Sequence, residues 1–158
     1  MPVLTLETFL DGAWHRAATL EFPEASAGDQ GRCYFEFDYD YLERWLGSGR
    51  HDVSPSVALP LEFGPTSLRR WPSFLDDLRP MGSARRWWLN QLNLPDAPGS
   101  DLELLQRGTI APVGNCRVAE AVPVKTEAPR RFTAQAVIER EQDFIALSLI
   151  HISQGIVR

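Results

Sequence analysis

The 158-residue sequence has one lysine, Lys125, two cysteines, three histidines and no long apolar run. Each shortage removes a class of function. A phosphate-binding loop needs glycines that free backbone N–H groups and a lysine to reach the phosphates, and no glycine-rich loop precedes Lys125. Cys33 and Cys116 lie far apart in the chain, too few for a disulfide framework or a zinc cluster, and point to a reducing compartment. His15, His51 and His151 occupy three separate segments, so no pair has the i, i+4 spacing of a helical zinc site. No cofactor or metal is expected. The longest apolar stretch, Phe144 to Ile152, is interrupted by Ser148 and His151 and is about half the ~20 residues a membrane span requires. The first residues lack the basic and apolar regions of a signal peptide. A cytoplasmic protein without membrane contact is expected.

What is present is ordinary for a folded domain: 44% hydrophobic and 23% charged residues, with a net charge of −5. A chain of this length buries roughly 68–70% of its unfolded surface and folds without staples. The acidic total argues against a general nucleic-acid binder but leaves room for a local basic patch. Paired carboxylates occur at Asp38 and Asp40 and at Asp76 and Asp77. A solvated face explains them better than acid–base catalysis, which needs two carboxylates converging from different environments. Ser54 and Ser56 flank Pro55 without a glycine elbow or a nearby histidine. The sequence therefore predicts no catalytic machinery.

The fold expected is α+β: a small antiparallel sheet opened by a β-meander and packed with three or four short helices. Val3 to Leu10 and Ala13 to Phe22 read as strands joined by the hairpin turn Asp11-Gly12. Pro23 to Arg32 reads as a loop. Cys33 to Phe37 reads as a strand with Cys33, Phe35 and Phe37 on one face. Asp40 is expected to cap a helix bearing Tyr41, Leu42 and Trp45. An extended segment over 51–65 should follow. Pro72 suits the first turn of a helix with Phe74, Leu75 and Leu78 on one stripe. A further helix is expected from Ser83 to Leu92. Another, capped by Ser100 or Asp101, carries Leu102, Leu104 and Leu105 and is stopped by Gly108. Cys116 to Val122 should close the sheet. The domain is expected over 1–122, with a linker, part of a helix and an apolar tail over 123–158.

One cluster stands out as a candidate contact patch: Arg85, Arg86, Trp87 and Trp88 on a helix, with Arg69, Arg70 and Trp71 shortly before. Tryptophan and arginine are enriched where interfaces concentrate their energy. The competing reading places the tryptophans in the core, with arginine stems covering apolar surface. Phe144, Leu147 and Ile150 of the tail are a second candidate, because uncovered apolar patches usually mark contacts. The competing reading makes them an internal strand that completes the domain's own sheet.

The stretch from about Leu4 to Val122 resembles the N-terminal subdomain of HipA-family proteins, the serine/threonine kinase toxins of bacterial toxin–antitoxin systems. The pieces occur in order. A hairpin is followed by Phe35-Glu36-Phe37-Asp38-Tyr39-Asp40-Tyr41-Leu42, and then by Val53-Ser54-Pro55-Ser56-Val57-Ala58-Leu59-Pro60-Leu61, similar to the family's "LSPSLPL" run. Phe74-Leu75-Asp76-Asp77-Leu78-Arg79-Pro80-Met81-Gly82 resembles the "FxxLLPEG" region, with Met81 in place of the glutamate. Asp101 to Arg107, Gly108 and Pro112-Val113-Gly114-Asn115-Cys116-Arg117-Val118 resemble its close. The nucleotide loop, lysine and catalytic aspartates of a complete HipA kinase cannot be placed in 123–158. The resemblance implies a module that contacts a HipA-type kinase core, in trans like the small protein HipS or as part of a longer chain, together with a HipB-like antitoxin. DNA would be met only indirectly. The alternatives are a truncated fragment of such a kinase, inert alone, and a DNA-contacting accessory protein using Arg69, Arg70, Arg85 and Arg86.

Overall fold

A computed structural model describes residues 1–109 and 114–121. The expected linker and helix of 123–158 lie outside the described residues, as do the tail residues Phe144, Leu147 and Ile150 and the last position expected for the closing strand.

Among the described residues the sheet has five strands in the order β4-β3-β2-β1-β5, and every pairing is antiparallel. β1 (Val3–Leu10) and β2 (Ala13–Glu21) form the opening hairpin. Asp11 and Gly12 both take positive φ, 51° and 83°, which matches the twist of the flanking strands. Leu4, Leu6 and Leu10 point inward from β1, and Thr8 is buried beside them. Opposite, Leu6 faces Ala18 while Glu7 faces Arg16, so Ala17 is the extra residue of a bulge. Its carbonyl accepts the Asp38 amide at 2.9 Å, which fixes where the chain leaves the sheet. β3 (Cys33–Phe37) has the expected alternation: Cys33, Phe35 and Phe37 are buried and Glu36 is exposed.

Four α-helices occur among the described residues: α1 (Tyr39–Trp45), α2 (Phe74–Leu78), α3 (Gly82–Leu92) and α4 (Asp101–Gly108). This is the α+β architecture the sequence predicts. The cap of α1 is Asp38, whose carboxylate accepts the Asp40 amide at 3.1 Å. Asp38, already extended at the strand end, is placed for that role before Asp40, which falls inside the first turn. α2 begins one residue after Ser73, and Pro72 sits just outside it, receiving the Leu75 amide on its carbonyl.

Three elements differ from expectation, the closing strand among them, which ends at Val118 where the chain turns rather than running on to Val122. The stretch 23–32, expected to be a loop, contains a 3-10 turn over Ala25–Gln30, kinked at Gly28. A short strand, β4 (Thr66–Leu68), pairs with β3 at one edge of the sheet. At the other edge β5 (Cys116–Val118) covers only Leu6 to Thr8. Past it, the Ala119 amide donates to the Thr5 carbonyl, and both Glu120 carboxylate oxygens receive the Thr5 amide at 2.9 and 3.0 Å.

The core forms where the inward face of the sheet meets α1, α2 and α4. Phe35 packs edge-on against Phe37 and Phe74, with ring centroids 4.8 and 6.4 Å apart. Such pairs add about 1 kcal/mol each beyond the area they bury. The Tyr41 hydroxyl donates to the Val53 carbonyl at 2.6 Å, pinning the irregular 51–65 segment onto α1.

Gly108 does not end α4 by turning left-handed. It is the last helical residue, and a Cβ there would come within 2.6 Å of Pro80 Cγ. It is small because α4 presses against the turn between α2 and α3.

Candidate functional site

The arginine–tryptophan patch read from the sequence is divided by the fold. Trp71 joins the core at 5% exposure, its ring 4.7 Å from that of Phe22, and its backbone amide donates to the Asp29 carbonyl at 3.0 Å. Arg69 and Arg70, which follow β4, are exposed. On α3, Ala84 and Leu89 face inward. That orientation leaves Arg86 and Trp87 outside, with Trp87 41% exposed. Trp88 is half-buried, 4.9 Å from the Trp87 ring at an angle of 86°. The indole N–H groups of Trp71 and Trp88 are buried without an acceptor among the described residues.

Arg85 has a different environment. It donates to Asp96 at 2.9 Å and to Asp101 at 2.5 Å. Burial works against its charge, but the hydrogen bonds to Asp101 and Asp96 outweigh that and raise its pKa. Asp101 is 4% exposed and also receives Arg79, itself 8% exposed. Arg79 reaches Asp76 at 3.1 Å and Asp29 at 3.3 Å as well. The side-chain amide of Gln30, then Arg79, holds the Asp29 carboxyl below its ordinary range. Two arginines and four aspartates thus tie α2, α3, α4 and the 25–30 turn together. Removing one partner of a buried pair strands the other charge, at a typical cost of 3–5 kcal/mol.

Sequence reading missed this network. Arg79 appeared only inside a motif, and Asp101 as a possible helix cap, because the partners lie 22 and 50 residues apart in the chain. The available signal was an arginine closing an apolar helix just before Pro80. Ser100 precedes α4 and Asp101 is its first residue, but neither side chain caps it; Asp101 is turned to the arginines instead.

Two clefts flank the network and share Asp29. One, of about 240 Å³, lies between Arg79, Met81, Arg85, Asp96 and Asp101. The other, of about 310 Å³, is lined by Arg69, Arg70 and Trp71, by Ser56 and Leu59 from the irregular segment, and by Asp76. Among the described residues, no group of three or more His, Cys, Asp or Glu side chains is arranged to hold a metal ion. Nor is any helix there long and apolar enough to cross a membrane. Burial pushes the Cys33 thiol up to about 12, and it raises the Cys116 thiol too. Both are free and buried, so neither has the exposed, electropositive setting of a reactive cysteine.

Residues 15–118 match the family model described as the HipA N-terminal domain. The match runs from within β2 to the end of β5 and covers well over half of the chain. No curated protein matches the sequence.

Proposed function

Because the chain belongs to the HipA N-terminal domain family, we propose that it is an accessory module of a HipA-type serine/threonine kinase toxin–antitoxin system and acts by contact with a kinase core. The family match is the observation that carries this reading. The reading assigns no catalysis to the chain itself. The most buried ionised groups among the described residues, Arg79 and Asp101, are paired with each other, which suits a structural use better than turnover. Arg86 and Trp87, exposed side by side on α3, are the best-placed members of the sequence-derived patch to meet a partner. Arg85 is committed to Asp96 and Asp101 and contributes by holding α3 in place.

The test is co-expression with a HipA-type kinase core and a pull-down from the full chain. A stable complex is expected. Trp87→Ala combined with Arg86→Glu should weaken it by about tenfold or more, as for residues at an interface centre, without lowering the thermal midpoint. No complex with any such core, or phosphoryl transfer by the isolated chain, would overturn the proposal.

A further inference from the structure

The cleft beside β4 carries a charge that no other described residue pairs with. Asp29 and Asp76, which line it, are engaged by Arg79. Arg69 and Arg70 line it too, and among the described residues neither forms an ion pair or a side-chain hydrogen bond. Two adjacent guanidiniums offer ten N–H donors in planar forks that match carboxylates. They stand on a chain whose total charge is −5, so the positive potential is local rather than spread over the surface.

The cleft's other walls fit a peptide. Leu59 is buried, Leu68 is half-buried, and Ser56 adds a hydroxyl. Trp71 adds part of an aromatic ring to the wall, held in the core against Phe22. The backbone contributes as well. Among the described residues β4 is the last strand at its side of the sheet, with only one of its two edges paired, and the pairing spans just three residues. An extended chain can add to such an edge through main-chain hydrogen bonds, while neighbouring side chains set its specificity.

We propose that this cleft is a binding site for an extended acidic peptide segment, whose carboxylates pair with Arg69 and Arg70 while its backbone lies along β4. The site is separate from the α3 face of the preceding section and does not depend on the partner there being a kinase core. An acidic peptide is favoured over nucleic acid because the cleft sets an apolar wall beside only two free arginines, where a phosphate backbone would call for a longer basic track.

The experiment is fluorescence anisotropy with the full chain and three labelled probes: an eight-residue peptide alternating glutamate and valine, its glutamine counterpart, and a single-stranded oligonucleotide of equal charge. Saturable binding of the glutamate peptide is expected, weakened about tenfold or more by glutamine replacement and by Arg69→Glu/Arg70→Glu. Arg86→Glu, on the exposed face of α3, should change it less than about twofold, since no residue of α3 lines the cleft. The exposed positions of Arg69 and Arg70 keep the double variant folded, which circular dichroism verifies. Absence of saturable binding, equal affinity for the glutamine peptide, equal loss in Arg86→Glu, or tighter binding of the oligonucleotide would each overturn the proposal. Because none of these probes is a kinase, failure here leaves the pull-down result of the preceding section intact.

Discussion

At the residue scale the decisive group is Asp101. It is buried and receives both Arg79 and Arg85, so its removal leaves two guanidiniums short of a counter-charge in a place with little water. Asp101→Ala should lower the unfolding free energy by about 3 kcal/mol or more, read from urea denaturation. Asp96 faces the same Arg85 but is 67% exposed at its side chain; Asp96→Ala should cost less than about 1 kcal/mol, because solvent already screens that pair. Asp29 gives the network a pH signature. Its pKa is lowered in the folded state by Gln30 and Arg79. The stability it contributes is therefore present in full above its ordinary value of 3.8 and is lost as pH falls through the lowered folded value. Thermal melts of Asp29→Asn beside the unchanged protein should differ at pH 6 and converge below that value. None of these pairings was legible in the sequence. The oppositely charged residues are scattered over many turns of chain, and only folding decides which of the exposed-looking charges become interior ones.

At the element scale, the sequence was informative wherever a segment had a strong period of its own. The alternation in Cys33 to Phe37 and the Asp11-Gly12 turn specify β3 and the opening hairpin, because each side chain's environment repeats with the pleat. The leucine stripe of α4 works the same way at helical spacing. β4 was hidden because a three-residue edge strand among prolines has no period to detect; its pairing with β3 comes from tertiary contact. The 25–30 turn was missed for a related reason, its shape being set by close approach of Gly28 to Pro98 rather than by its own composition. Gly108 illustrates how a correct boundary can conceal the wrong cause. Alanine at a helix position is worth about 1 kcal/mol over glycine in propensity alone. Gly108→Ala should nevertheless destabilise by about 1–3 kcal/mol, because the new methyl would overlap the Pro80 ring. A raised thermal midpoint in that variant would show that α4 and the turn before α3 have room to separate. As for the candidate site, the sequence located its arginines and tryptophans but could not sort them. Burial alone separates Trp71 from Trp87, and pairing alone separates Arg85 from Arg86.

At the scale of the whole molecule, charge and its distribution set what the surface can attract. Of the arginines nominated for DNA contact, Arg85 is bound to aspartates, and Arg69 and Arg70 stand beside Asp29 and Asp76. With the net charge at −5, the full chain should show no retention on duplex DNA at about 0.15 M salt, where phosphate contacts are already weakened by counterion competition. A filter-binding assay that found salt-sensitive micromolar binding would reinstate the DNA reading. The two ends of the sheet also behave differently towards other molecules. At β4 the edge is short and unpaired among the described residues. At β1 the strand runs on past its three-residue partner, and the Thr5 amide is occupied by the Glu120 carboxylate. That carboxylate acts as a plug: it fills a hydrogen-bonding position on which a foreign strand would otherwise begin to add, and it sets a negative charge there. The practical consequence is colloidal. A chain carrying Glu120→Ala would remain folded yet gain a site for end-to-end growth, so its solutions should turn cloudy on concentration while those of the unaltered protein stay clear.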